Sequence, residues 1–442
     1  MMRRTTSMQP TQHNPQRGMA ALTVVMVLFF VMALVAAYTN RNLVFEQRIS
    51  ANSYRATRAL EAADAGVEWT IAMLNAGRTT ANCTQPGAGG AAGVGDFRSR
   101  YLVPSADETN GEGAFDVPWG QVPANRVYPA CIIVDGAPRC ICPAMGEAPA
   151  AIGAPADGIG SAFRITFRLF HGGNIVRGGA VQLVSRGCAN PGDGDTACFA
   201  QNDDVPTVDG TTAVIATLGL VRALPVAPKA TLTAGTSIAG ELQIANGDFA
   251  SGLTAHAGGA ITPSGASRFV GPAGSGSDGR VENDATITAL AGLGADPWFR
   301  ALFVLDATTY QRQPAVVRLP CAAGCNRTDI ANALLMNPRN PIWAEGNVDI
   351  DAAGDLGTAA DPMMLVVNGT LTISASATVR GFAHANAISW TAPAATWDGA
   401  MVSATSFNAT GVATLRYDRP MLDTIRLRYG SFVRAPGGWN LF

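Results

Sequence analysis

The eight cysteines are the residues best suited to a defined chemistry, which is either metal binding or disulfide formation. Structural zinc sites usually take cysteines from close pairs such as C-x-x-C, and this chain has no such pair. The count is even, and every cysteine follows an apolar N-terminal segment, as is typical of a chain that is oxidised after export. We therefore expect disulfides and no metal at Cys83, Cys131, Cys140, Cys142, Cys188, Cys198, Cys321 and Cys325.

Proximity along the chain favours two local bridges, Cys188–Cys198 and Cys321–Cys325. The other four cysteines are expected to form two more bridges, and their order is left open. The loop between Cys188 and Cys198 contains Asp193 and Asp195, which could suggest a calcium site. The D-G-D spacing lacks the rest of an EF-hand loop, so a solvated loop is the preferred interpretation.

Four clustered acids offer a second chemistry, because paired carboxylates cleave polysaccharides by general acid–base catalysis. They lie among Gly and Ala in turns between strand patterns, which is typical of a solvated edge. His384 is a single imidazole in a strand pattern, where a structural role is commoner, and neither G-x-S-x-G nor H-E-x-x-H occurs. The sequence therefore predicts that the chain is not an enzyme and uses no cofactor. The acids are Asp349, Asp351, Asp355 and Asp361.

Composition predicts a folded chain of several domains. Its 442 residues exceed one ordinary domain, and 48% hydrophobic content can bury a core although only 14% of residues are charged. The 49 glycines and 26 prolines, with abundant Thr, Ala and Val, favour short strands over a helical body. A net charge of −2 and the absence of a Lys/Arg run argue against nucleic acid as a partner.

An uncharged segment near the N-terminus predicts a membrane span. Residues 19–38 contain no formal charge, and a helix of twenty residues is about 30 Å long, which matches a bilayer core. The only charges before it are Arg3, Arg4 and Arg17, so the N-terminus should stay in the cytoplasm and the body should be exported. A cleaved secretory signal would have a shorter core and a small-residue site, which residues 36–38 (AAY) match poorly.

A helical pattern continues beyond the span. Apolar residues recur there at steps of three and four, so the second half of one long helix should be amphipathic. Residues 75–77 (NAG) give a plausible end to it. The recurring residues are Ala56, Leu60, Ala63, Val67, Ile71 and Leu74.

Three motifs in register carry a family resemblance. Residues 16–22 (QRGMAAL) resemble a class III signal, residues 44–52 (VFEQRISAN) resemble the "leEErmAgN" segment, and residues 59–68 (ALEAADAGVE) resemble the "AfqaAEAgle" segment. Together they resemble the N-terminal region of PilX-type minor pilins, over about residues 16–75. The resemblance implies cleavage by prepilin peptidase between Gly18 and Met19, with N-methylation of the new terminus. It further implies a type IV pilus subunit.

The resemblance also implies the chain's partners and place in the cell. The helix would contact inner-membrane lipid before assembly, with the N-terminus in the cytoplasm and the body in the periplasm. It would contact other minor and major pilins, and possible tip adhesins, at the cell surface afterwards. The expected function is that of a structural minor pilin that enters or primes a type IV pilus. A pilus-associated surface adhesin and a type II secretion pseudopilin are the alternatives.

Thr23 departs from the family pattern. Pilins usually carry Glu at the fifth mature residue, where it pairs with the N-terminal amine of a neighbour, and the fifth residue from Met19 is Thr23. A threonine supplies no charge for that pair. The departure suggests a subunit at the pilus tip, with tolerated drift in a shaft subunit as the alternative.

The body divides into two predicted β units. Residues 1–18 would be the leader, 19–77 the pilin helix with 19–38 transmembrane, 78–215 a pilin-like antiparallel sheet, and 216–442 a β-helix-like domain. The first β unit is indicated by strand patterns at residues 131–134, 163–167 and 180–184, separated by turns. The predicted fold class is thus α+β and mainly β.

A repeat near the C-terminus suggests stacked strands. The triplets that begin at Ala377, Ala395 and Ala413 recur every eighteen residues, and Gly381 and Gly399 fall at one phase. Such a period favours the stacked turns of a β-helix, whereas an antiparallel sandwich is the alternative. Short helices are expected at residues 297–303 and 330–335. If exposed, Trp390, Trp397 and Trp439 would mark a contact surface; otherwise they would cap the stack.

Overall fold

A computed structural model describes residues 17–87, 95–105, 110–117, 128–143, 160–172, 175–189 and 210–441. It contains one long helix, an antiparallel sheet of six strands and a larger set of fifteen strands. The predicted long apolar helix and mainly β body are therefore confirmed. The elements of the first part are α1 (Arg17–Asn75), α2 (Phe97–Tyr101), β1 (Val103–Pro104), β2 (Phe115–Asp116), β3 (Ala130–Val134), β4 (Ala137–Ile141), β5 (Ser161–Gly172), β6 (Ile175–Cys188) and β7 (Thr211–Arg222).

The second part is the larger one. It contains short helices at the two predicted places, residues 297–303 and 330–335. The elements are β8 (Ala230–Ala234), β9 (Ile238–Ala245), β10 (Leu253–Ala257), β11 (Ile261–Pro263), β12 (Arg268–Val270), β13 (Arg280–Val281), α3 (Ala285–Gly292), α4 (Ala295–Phe303), α5 (Ala307–Gln311), β14 (Val317–Leu319), β15 (Cys325–Asn326), α6 (Arg327–Met336), β16 (Ile342–Ala344), β17 (Val348–Ile350), β18 (Gly354–Leu356), β19 (Met363–Ile373), β20 (Ala377–Trp390), β21 (Ala395–Ser403), β22 (Phe407–Arg416), α7 (Arg419–Arg428) and β23 (Gly430–Leu441).

The antiparallel sheet packs against the second half of α1. Its strand order is β23-β7-β6-β5-β3-β4, so the last strand, β23, lies at one edge. Residue 215, where the predicted sheet unit ends, lies within β7. The strand pattern at residues 163–167 is confirmed in β5, whose Phe163, Ile165 and Phe167 lie in the core shared with α1. The strand is not half-buried, because Arg164 and Thr166 on its other face are buried as well. The helix comes very close to β6, where a side chain at Gly187 would place its Cβ 2.0 Å from the Ala59 carbonyl oxygen. Glycine at this position therefore allows the helix and the sheet to touch.

The strands of the larger set pair in parallel and in the register of the sequence repeat. Thr378 pairs with Thr396, Gly381 with Gly399, and Ala395 with Ala413. Side chains of one phase therefore form rows across successive strands. Inward rows of apolar residues fill one continuous core between the strands.

The strands do not follow one another in chain order. β21 pairs with β8, with Met401 beside Leu232, and β22 pairs with β9, with Leu415 beside Ile244. The two runs β8–β13 and β14–β22 therefore lie side by side, and the last strands of the second run pair with the first strands of the first run. The segment with α3, α4 and α5 connects the two runs along the chain.

For two of the three tryptophans, burial excludes the alternative of an exposed contact surface. Trp390 and Trp397 are both fully buried in the core between the parallel strands. The Trp397 indole N–H donates to the Gly381 carbonyl oxygen at 3.0 Å, which satisfies its one polar group. Large side chains fill the inside of the body at these positions, so neither residue can form an exposed contact surface.

Candidate assembly interface

The first half of α1 exposes an apolar surface along its whole length. It belongs to the one helix in the described part of the chain that is long and apolar enough to cross a membrane. Phe29 is 74% exposed and Leu22 62% exposed. An apolar surface of this size requires lipid or other protein subunits to cover it.

The predicted processing residues lie at the start of this helix. The backbone of Gly18 and Met19 is helical, within the first turn of α1. Thr23 lies on the exposed surface, and its hydroxyl donates to the Ala20 carbonyl oxygen at 2.9 Å. Cleavage between Gly18 and Met19, and a role for Thr23 in assembly, stay predictions.

The second half of α1 lies on the sheet. Its buried stripe begins at Ala59, whereas Ala56, which the periodicity had included, is exposed. The stripe continues through Ala63 and Val67 to Leu74, so the predicted amphipathic pattern holds for the part that meets the sheet. One helix therefore has an exposed apolar half and a covered half that carries the body.

The end of α1 is bonded to the last strand of the chain. The Asn75 side-chain amide donates to the Phe432 carbonyl oxygen at 2.8 Å, and its Oδ1 accepts from the Phe432 N–H at 2.8 Å. The two bonds satisfy both main-chain groups of Phe432, which lies in the edge strand of the sheet. They fix the end of the helix to β23.

A buried arginine completes this attachment. Arg98 is 4% exposed, and its guanidinium donates to the carbonyl oxygens of Leu74, Arg428 and Gly430 at 2.8 to 3.0 Å in the shortest contacts. It also lies 4.8 Å from the centre of the Phe432 ring. Burial lowers the pKa of Arg98 to about 10, so the group remains charged at neutral pH. A cation at the C-terminal end of a helix interacts favourably with the helix dipole.

The larger β unit also touches the end of α1 directly. The Arg78 N–H donates to the Met336 carbonyl oxygen at 2.7 Å, and the Asn340 amide donates to the Asn75 carbonyl oxygen at 2.9 Å. Gly77 permits this approach, because a Cβ there would lie 2.3 Å from the Met336 carbonyl oxygen. The body is therefore held against the helix by main-chain and amide contacts rather than by a linker alone.

Only part of this attachment could be predicted from the sequence. Residues 75–77 were expected to end the helix, which they do, but nothing in the sequence predicted the contacts of Arg98. A lone arginine in an irregular segment carries no periodic signal, and its three carbonyl partners belong to segments far apart in the chain.

Three disulfides are described. Cys83–Cys142 has a Cα separation of 5.3 Å and ties the segment after α1 to the end of β4, while Cys131–Cys140 crosslinks β3 and β4. Cys321 and Cys325 are bonded to each other, as their proximity suggested. Cys198, Asp193 and Asp195 lie outside the described residues, so the Cys188–Cys198 bridge stays a prediction.

The acids considered for catalysis do not converge. Asp349 accepts from the Ser374 hydroxyl at 2.6 Å, Asp355 pairs with Arg380 at 3.3 Å, and Asp361 pairs with Arg339 at 2.9 Å. Asp351 accepts from the Arg327 N–H at 3.3 Å. Within the described ranges, no group of three or more His, Cys, Asp or Glu side chains is placed to hold a metal ion.

One helix thus combines an exposed apolar half, long enough to cross a membrane, with a second half that carries an antiparallel sheet. Residues 17–68 match the family model of the PilX N-terminal domain, and this match confirms the resemblance to PilX-type pilin assembly proteins. What the match covers is therefore the N-terminal region, which is similar to that of PilX-type pilins. No curated protein and no solved structure matches it. The family match ends at residue 68, so it covers most of α1 and none of the body.

Proposed function

We propose that this chain is a structural minor pilin that enters or primes a type IV pilus. Prepilin peptidase would remove residues 1–18 by cleavage between Gly18 and Met19, and the new N-terminus would be methylated. The observation that carries the proposal is the long exposed apolar half of α1, continuous with a half that packs on the sheet. That surface suits the lipid bilayer before assembly and other minor and major pilins afterwards.

The proposed place of the subunit is the pilus tip. An incoming pilin brings a charged N-terminal amine into an apolar bundle, where a carboxylate neighbour must compensate the charge. Thr23 supplies no carboxylate, so a subunit placed above this one would lack its partner. The attachment at Asn75, Arg98 and Asn340 holds a large body firmly at the end of the helix. Such a body is easiest to accommodate where no subunit is stacked beyond it.

For the body we propose stacked turns of a β-helix. Parallel pairing at a spacing of eighteen residues supports this organisation, as do the in-register rows at Thr378, Thr396 and Thr414. The proposed domains are the leader, the pilin helix 19–77, a sheet domain 78–215 and a β-helix-like domain 216–442. Strand β23 returns from the last of these to the sheet. The role proposed for the whole body is structural rather than enzymatic.

Deletion of the gene product separates the proposal from its alternatives. We expect surface pili and twitching to decrease strongly while type II secretion is unchanged, because a priming pilin acts before the shaft is built. Pili should return when the full chain is supplied from a plasmid. Lost secretion with intact pili would instead identify a pseudopilin, and intact pili with lost adhesion would identify a surface adhesin.

A further inference from the structure

One outward face of the parallel strands is apolar and lies beneath helices. On this face Trp343, Val366, His384 and Val402 form one in-register row, and all four are buried. By contrast, the outward row at Thr378 and its neighbours on the next strands is only half-buried. The apolar face packs against α4 and α5, which we call the cover (residues 295–311).

The contact between the cover and the strands leaves several buried polar atoms without partners. Within the described part of the chain, neither ring nitrogen of His384 has a hydrogen bond, and His384 is 4% exposed. The Trp343 indole N–H on the strands and the Trp298 indole N–H and Tyr310 hydroxyl on the cover also have none. Each such group loses its bonds to water when the cover is closed, which weakens the closed state relative to an open one.

His384 lies among rings and not among charges. Phe299 and Phe303 from α4 stand edge-on to its ring, with centroids at 5.4 and 5.6 Å. The charged residues of α4, Asp296 and Arg300, pair with each other at 3.2 Å, and both are more than half exposed.

No charge from the other elements around His384 affects its protonation. Asp306 caps α5 and accepts from the Thr309 N–H at 2.8 Å. Two buried tyrosines, Tyr310 and Tyr429, belong to the same cluster, and burial raises the pKa of each. The neighbouring strand positions, Val366 and Val402, carry no charge. Burial alone therefore lowers the pKa of His384, to about 4.

The cover contains one residue with a strained backbone, and hydrogen bonds hold the chain before and after it. Val304, between α4 and α5, has a φ of 64° and is 67% exposed. Positive φ is unfavourable for a β-branched residue. The helix before the cover is held by His256, which bonds Asp284 at 2.8 Å, and the chain after it is held by Ala315, whose N–H donates to the Ser431 hydroxyl at 3.0 Å.

We infer that the cover is a hinged lid that opens locally to expose an aromatic face, and that protonation of His384 favours the open state. The closed state disfavours the charged imidazole, whereas an exposed imidazole takes up a proton near pH 6.5. Closing is therefore most favourable above pH 6.5, weakens as the pH falls, and reaches its lower limit near pH 4. The inference concerns the body alone and does not depend on the proposed pilus function.

Hydrogen–deuterium exchange of the full chain in detergent micelles tests this lid. After correction for intrinsic exchange rates, opening of the cover should increase about twentyfold between pH 7 and pH 5, as the two pKa values require. Protection of β19 reports global unfolding, so it should stay well above the protection of the cover at both pH values. In His384→Phe, which keeps a ring and cannot take up a proton, the cover should show no change with pH.

A second variant tests the strained position of the cover. Val304→Gly removes the strain, so it should reduce opening at both pH values while the pH ratio persists. This variant serves also if His384→Phe does not fold. The inference would be overturned by equal corrected opening at pH 7 and pH 5 in the unmodified chain, by a cover as strongly protected as β19, or by an increase that survives in His384→Phe.

Discussion

Replacing Arg98 with methionine is expected to lower the free energy of unfolding by about 3–5 kcal/mol. The substitution keeps an apolar stem but leaves the carbonyl oxygens of Leu74, Arg428 and Gly430 buried without their charged donor. It also removes the cation at the C-terminal end of α1. Denaturant unfolding of the full chain in micelles, followed by circular dichroism, measures the change.

Two variants make the Arg98 experiment specific. Arg139→Met removes an arginine from an exposed position on β4 and should change the stability by less than about 0.5 kcal/mol. Arg98→Lys keeps the charge, but an ammonium group cannot span the same three carbonyl oxygens, so an intermediate loss is expected. A loss below about 1 kcal/mol in Arg98→Met would show that Arg98 does not hold the end of the helix to β23.

Replacing Gly399 with alanine is expected to cost about 3 kcal/mol or more and to disrupt the parallel strands. Gly399 has a φ of 131°, a conformation that L side chains rarely adopt. A Cβ there would lie 2.0 Å from the Gly381 carbonyl oxygen, which belongs to rigid backbone and already accepts from Trp397. The neighbouring strand would have to move away, so pairing between β20 and β21 would be lost. Thermal unfolding and exchange protection in the two strands measure the effect.

Gly247→Ala is the matched control for this substitution. Gly247 belongs to the same part of the chain, has no positive φ, and a Cβ there would meet nothing within 4 Å. Its stability should stay within about 0.5 kcal/mol of the unmodified chain or increase slightly. If Gly399→Ala were as stable as Gly247→Ala, the close approach of β20 and β21 would have no energetic importance.

The sequence predicted local periodic features well. Steps of three and four residues indicated α1, the strand pattern at residues 163–167 indicated β5, and the eighteen-residue spacing indicated which residues of β20, β21 and β22 lie side by side. Each of these patterns repeats within one segment or between segments that are neighbours in the chain. Periodicity is visible without knowledge of distant partners.

Long-range pairings could not be predicted in this way. Nothing in the repeat indicates that β21 lies beside β8, because the rest of the first run, the segment with α3, α4 and α5, and most of the second run separate them in the chain. The uninterrupted apolar run at residues 363–367 is a signal that was available, since a strand buried on both sides loses its alternation. That run therefore indicated a strand covered on both faces. The burial of Trp390 and Trp397 likewise could not be predicted, because the core that surrounds them is formed by strands from both runs.

The most direct test of the account is immunogold labelling of pili sheared from cells, with antibody against the body. We expect label at filament ends and none along the shaft, because the exposed half of α1 is the proposed assembly surface and Thr23 supplies no carboxylate for a subunit above it. Label spread along filaments would contradict placement at the tip. Filaments without any label, from cells that hold the protein in their membranes, would contradict the proposal that this chain is a pilus subunit.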